Sequence, residues 1–207
     1  MTVESTPPVA VDGAVEARPE RRFWELWRPK ITPEDKHRAD LPGPEHLATA
    51  RRALNLDPGG VPGLWRWYTT LDDRGRLTTK LRAEHAALGL YGVHQQGNAA
   101  RMHDPSVRIG EALHNLRRAG KYSEVALDRR VTAAATANDL PELVHHLRGL
   151  IAMLRGLGQP LDYNALYRDL CAWQDPSAQA AVRRRWGAAY FAVTTSNNTE
   201  NSGKDPR

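Results

Sequence analysis

Eight histidines, one cysteine and a pair of adjacent aspartates are the residues from which chemistry could be assembled. Their spacing supports none. His145 and His146 are neighbours, and a helix turns successive side chains about 100° apart, so the two cannot close on one metal ion. His94 follows a helical run and His103 lies in the connection GNAARMHD; neither has a metal-ligand spacing. The sequence contains no H-E-x-x-H, no G-x-x-x-x-G-K-[ST], no G-x-S-x-G and no G-x-G-x-x-G following a strand. Cys171 falls between Leu170 and Trp173 on an apolar helix, where a buried, inert thiol is expected. One cysteine can close no intrachain disulfide. Asp72 and Asp73 sit beside Arg74 and Arg76 in a turn, which reads as solvated surface. The expectation is a protein that is not an enzyme and carries no cofactor.

The cations carry more information. The stretch RIGEALHNLRRAGKYSEVALDRR (108–130) ends one helix on Arg117 and Arg118, breaks at Gly120, continues with Lys121 and places Arg129 and Arg130 on the next helix. Cations at a helix C-terminus are favoured by its dipole, so Arg117 and Arg118 alone need no partner. Arg129 and Arg130 alter that, because a short turn makes the two helices neighbours on which four arginines and Lys121 could share one surface. Arg51-Arg52, flanked by Leu47, Ala50, Ala53 and Leu54, must point outward or sideways. Lys80, Arg82 and Arg101 form a diffuse third group, Arg101 in a connection from which it could reach a phosphate. Arg183-Arg184-Arg185 form a fourth, Arg185 flanking the core. Arginine outnumbers lysine, and its planar fork suits phosphate. A nucleic-acid backbone and a protein partner both remain open as the target, without base-reading motifs.

The elements that must position these groups are helical. Leu140, Leu143, Val144, Leu147, Leu150, Ile151, Leu154 and Leu157 form an i, i+3, i+4, i+7 stripe. Asp139 and Glu142 make a capping box, Pro141 fits the first turn, and Gly158 with Pro160 ends the helix. Further helices begin at Asp162 and at Asp175-Pro176, the last with an apolar face of Val182, Trp186, Ala189, Tyr190 and Val193. Earlier helices are expected over 22–28, 33–39, 44–55, 61–70, 76–95, 107–119 and 122–137, punctuated by Pro42-Gly43-Pro44, Asp57-Pro58-Gly59-Gly60, Gly97 and Gly120. The pairs Trp65/Tyr68 and Trp186/Tyr190 have core spacing. Trp24 and Trp27 either staple their segment to the body or meet a partner. The fold expected is all-α, of about eight to nine helices in two packed bundles: a loose extension over 1–19, an N-terminal bundle over 20–100, a C-terminal bundle over 101–194 and a loose tail over 195–207.

The 207 residues can bury a real core. Net charge is +5; residues 1–19 contribute −2 (Glu4, Asp12 and Glu16 against Arg18) and 194–207 are neutral, so the body between carries +7. A basic body favours an acidic partner. No apolar run approaches bilayer length and no signal-type stretch is seen, so membrane contact is not expected and a cytoplasmic location is.

The order ARRAL, a Trp-rich helix, VRIGEALHNLRRAGKYSE, LPELVHHLRGLIAML, LDYNALYRDLCAWQD and RRRWGAAYFAVTT, over residues 40–196, resembles the CasB family, the small subunit of the type I-E CRISPR surveillance complex Cascade. The resemblance implies a non-catalytic helical protein. Two copies would pack head to tail along the backbone subunits that hold the guide RNA, between the large and head subunits. A basic surface would support the target and displaced DNA strands of the R-loop. Arg51 and Arg52 match the family's paired basic positions after the first helix, Arg101 a basic site before the IGEAL helix, and Lys121 the basic residue after the glycine. Arg82 and Arg129 match as well, and Arg118 and Arg130 extend the set. One departure is that Val125 and Ala126 follow Glu124, where the family usually has basic residues. The alternative is an architectural adaptor that bridges protein subunits without touching nucleic acid.

Overall fold

The computed structural model describes residues 21–28 and 41–192 of the 207. The expected extension over 1–19, the helix over 33–39 and the tail over 195–207 lie outside the described residues. Every named element among those described is helical: α1 (Phe23–Leu26), α2 (Pro44–Ala53), a 3₁₀ helix (Pro62–Trp67), α3 (Thr79–Gln95), α4 (Ile109–Arg118), α5 (Glu124–Ala135), α6 (Leu140–Leu157), α7 (Tyr163–Trp173) and α8 (Pro176–Tyr190). The expected all-α fold of eight to nine helices is what forms. Chain signals set the boundaries of the later helices. Asp139 Oδ1 accepts from the Glu142 amide at 2.8 Å, and Glu142 reaches back to the Asn138 amide at 2.8 Å, one residue earlier than a strict capping box. Asp162 and Asp175 cap α7 and α8, and Gly158 closes α6 at φ 70°.

α3 is the central helix. Its residues from Ala83 to Gln95 are all buried, and it packs on α2, α6 and α7. A helix buried all round must satisfy each polar side chain it carries inside. Glu84 accepts the amides and hydroxyls of Thr69 and Thr70 at 2.6–3.0 Å and the Arg22 guanidinium at 3.1 Å. His85 accepts from the Tyr68 hydroxyl at Nδ1 (2.6 Å) and donates from Nε2 to the Ala53 carbonyl (2.8 Å), and burial lowers its pKa. Gln95 donates to the carbonyls of Asn98 and Ala100 and accepts from the Met102 amide, which fixes the connection after α3. The His94 ring meets the Tyr163 hydroxyl at 3.1 Å, and burial holds its pKa at about 4.

Two helix pairs approach closely at glycine. A Cβ at Gly92 would stand 2.9 Å from the Arg51 amide on α2, and one at Gly110 would stand 2.9 Å from the Trp186 carbonyl on α8. α1 is one turn, yet Phe23 and Trp24 are fully buried. Phe23 meets Trp67 and Tyr91 edge-on, and the Trp24 indole donates to Asn164 Oδ1 on α7 at 2.8 Å. Trp24 and Trp27 thus staple their segment to the body.

Two expectations are corrected. The span 61–70 is not an α-helix but a 3₁₀ helix over Pro62–Trp67. Three residues per turn put Leu64 and Trp67 on the inner side and leave Trp65 52% exposed instead of in the core. The helix expected from 76 begins at Thr79, because the Thr78 hydroxyl accepts from the Leu81 amide and caps it there.

Candidate nucleic-acid interface

The inner face of α6 carries Leu143, Leu147, Leu150, Ile151 and Leu154. Helical spacing therefore turns Pro141, His145, Arg148, Gly149, Ala152 and Gly156 to the opposite face. Neighbouring helices bring cations to that face. Arg82, in the first turn of α3, lines the same cavity as His145 and Arg148. The Arg130 guanidinium on α5 lies 3.6 Å from where a Gly149 Cβ would stand, so the glycine lets the arginine lie close over α6. Lys121 Nζ donates to the Gly156 carbonyl at 2.8 Å at the far end. Arg155 donates to Gln96 Oε1 at 2.9 Å, so α3 and α6 run in the same direction. The result is a line of positive charge from Arg82 and Arg148 through Arg130 to Lys121.

Other cations are neutralised inside the protein. Arg22 is paired with Glu84, Arg76 with Asp72, Arg117 with Glu124 (2.7 Å) and Asp128 (3.2 Å), and Arg185 with Asp169 (2.6 Å). Asp128 also accepts from the Tyr190 hydroxyl, tying α4, α5 and α8 together. In contrast, Arg51, Arg52, Arg82, Arg129, Arg130 and Arg148 have no carboxylate partner among the described residues. That difference separates structural cations from candidate binding ones.

The positions expected from sequence are distributed as follows. Arg52 is exposed and Arg51 half-buried on the last turn of α2, its backbone against Gly92 of α3. Arg82, Arg129 and Arg130 are exposed, Arg118 is exposed at the end of α4, and Lys121 is exposed with one donor used. Arg101 is not the freely reaching side chain its loop position suggested. Nε and Nη2 both donate to the Trp24 carbonyl, at 3.1 and 2.6 Å, in a half-buried site. Arg117 does not join Arg129 and Arg130 in one open group, because α5 supplies its carboxylates. Cys171 is half-buried and its thiol pKa is raised, chiefly by burial. Among the described residues no group of three His, Cys, Asp or Glu side chains could hold a metal ion, and no helix is long and apolar enough to cross a membrane.

Beside the cationic line is a cavity of about 700 Å³ between the start of α3, the start of α6 and the α7–α8 connection. Leu56, Leu77, Ala86, Val144 and Trp173 line it, with Arg82 and Arg148 among its polar groups.

The profile of the CRISPR-associated protein Cse2 family matches residues 46–191. The chain belongs to the Cse2 family. The match spans α3 to α8 whole, including the helices that carry Arg82, Arg130 and Arg148. In structure this Cse2 chain is similar to CasB from Thermobifida fusca, at 29% identity and a TM-score of 0.59 over 77% of this chain and 88% of that one. Two further likenesses speak for the fold. M. ruber CasB is 22% identical with a TM-score of 0.57, over 72% of this chain and 85% of that one. A chain of a CRISPR RNA-guided surveillance complex is 22% identical with a TM-score of 0.55, over 71% and 82%. No curated protein matches the chain.

Arg148 is the Cse2 cation that sequence reasoning passed over. A signal was present: it stands opposite the leucine stripe of α6, one turn from His145 and Ala152. Its pairing in space with Arg82 of α3 is a tertiary fact that periodicity does not contain.

Proposed function

We propose that this chain is the non-catalytic small subunit of a type I-E Cascade complex acting in the cytoplasm. Its uncompensated arginines hold phosphates of the target and displaced DNA strands in the R-loop. The observation that carries this reading is the line of cations without carboxylate partners along the outer face of α6, in a chain of the Cse2 family. Its partners would be the backbone, large and head subunits and a second copy of itself, with the guide RNA met indirectly.

The physics is that of a near-balanced exchange. Guide–target pairing is about as stable as the duplex it replaces, so a small bias decides how long the strands stay apart. Fixed guanidinium groups lower the free energy of the open form alone, while base pairing retains specificity. Bound phosphates release counterions, so the bias weakens as salt rises. Arg51, Arg52, Arg118 and Arg129 extend the surface beyond α6, and Arg101 enters only with the donors that Trp24 leaves free.

The test is R-loop lifetime in the reconstituted complex. Arg51→Ala with Arg52→Ala should shorten it at raised salt while the complex still co-purifies with its RNA. A double variant that holds R-loops like the wild type at raised salt refutes the assignment of those two positions. The adaptor reading draws on the exposed apolar side chains Leu56, Trp65, Leu77 and Phe191. An adaptor without nucleic-acid contact would show no salt-steep retention of single-stranded DNA by the isolated chain in filter binding.

A further inference from the structure

The cavity between α3, α6 and the α7–α8 connection has a composition that plain phosphate contact does not use. Its volume, about 700 Å³, lies within the range of small-ligand pockets. Leu54, Leu56, Leu77, Val144 and Trp173 give it apolar walls, Leu56 and Leu77 at 56% and 44% exposure, with Asn55, Asn138, His145 and Gln174 among them. Arg82 and Arg148 both line it, neither with a carboxylate partner. Asp139, the one acid of the lining, is committed to the Glu142 amide.

An apolar hollow edged by two guanidinium groups matches a ligand that is flat and apolar in one part and anionic in the next. A nucleotide has that division. A peptide strand would bring amides and carbonyls that need partners inside the groove. Asn55, Asn138, His145 and Gln174 of the lining can meet some of these, but its two cations without carboxylate partners favour an anionic ligand over a neutral strand.

We infer that this cavity takes an unstacked nucleobase of single-stranded DNA, with Arg82 and Arg148 closing on the phosphates that flank it. The inference rests on the DNA-binding reading above and adds to it a contact that tells bases from bare backbone. Base stacking is tolerant of sequence, so the pocket would hold a displaced strand without selecting one.

Fluorescence anisotropy of the full chain with oligothymidylate, and with an abasic deoxyribose-phosphate oligomer of equal length and charge, tests it. Oligothymidylate should bind roughly tenfold tighter. Ala86→Leu, which fills the cavity floor, should abolish that difference and leave abasic affinity unchanged. Because the substitution could unsettle the core, crosslinking of the unmodified chain to an iododeoxyuridine-bearing strand gives a second readout, with adducts expected on His145, the exposed aromatic ring of the lining. Equal affinity for the two oligomers, or adducts only outside the cavity, overturns the pocket and leaves the phosphate reading standing. No salt-dependent binding of either oligomer overturns both. If an acidic, apolar peptide binds and Ala86→Leu abolishes its binding without touching that of oligothymidylate, the cavity belongs to a protein segment and the inference fails.

Discussion

Arg130→Ala with Arg148→Ala removes the middle of the cationic line on α6. Both side chains lack a carboxylate partner among the described residues, and both are exposed. Their loss leaves no buried charge stranded, and thermal stability should stay within about 0.5 kcal/mol of wild type. Binding should change in a defined way. Each phosphate neutralised on a single strand contributes about 0.7 to the slope of log affinity against log salt, so two lost contacts flatten the slope by about 1.4. Between about 50 and 200 mM salt, wild type should therefore lose about sevenfold more affinity than the variant. Filter binding of labelled single-stranded DNA across that range measures it. Arg76→Ala is the control, because Asp72 already neutralises that guanidinium and its removal should leave the slope alone. An unchanged slope in the double variant, or an equal flattening in the control, refutes the reasoning that unpaired arginines are the phosphate contacts.

Three further outcomes concern the frame. Glu84→Ala leaves the Thr69 and Thr70 donors and Arg22 without their acceptor, and should cost about 3 kcal/mol, a fall of about 6–12 °C in a thermal melt. Gly110→Ala places a methyl group 2.9 Å from the Trp186 carbonyl, forces α4 from α8, and should cost about 1–3 kcal/mol by denaturant titration. His94 is depressed to about 4 by burial, against about 6.5 in the unfolded chain, so below about 6.5 the unfolded state binds the extra proton. Stability should therefore fall as pH drops from about 6.5 towards 4, with His85 and His103 acting in the same direction, and His94→Gln should make that fall shallower in melts at stepped pH.

Much of the fold was legible because local signals agreed with tertiary need. α6 has a leucine stripe, an aspartate cap and a terminal glycine, and each acts where the spacing placed it. The stretch around Trp65 misled because helical spacing was applied to PGLWRW, a segment with Pro62 and Gly63 in its first turn that winds at three residues per turn. For Trp24 and Trp27 the sequence left two readings, and only the partners Tyr163, Asn164 and Arg101, far along the chain, choose between them. The cations were visible as types but not as free or engaged. Whether Arg117 meets Asp128, or Arg130 lies over Gly149, depends on how α5 is laid down.

The one-turn helix at Phe23–Leu26 bears on where this Cse2 chain ends as a folding unit. The family profile begins at residue 46, twenty or so positions past the two rings that fill the space beside Tyr91 and Tyr163. A polypeptide trimmed to the profile would lose the cation that Glu84 faces and the carbonyl that engages Arg101, and would open aromatic surface to water. The span that the family profile matches is thus smaller than the span that packs together, because Phe23 and Trp24 belong to the interior.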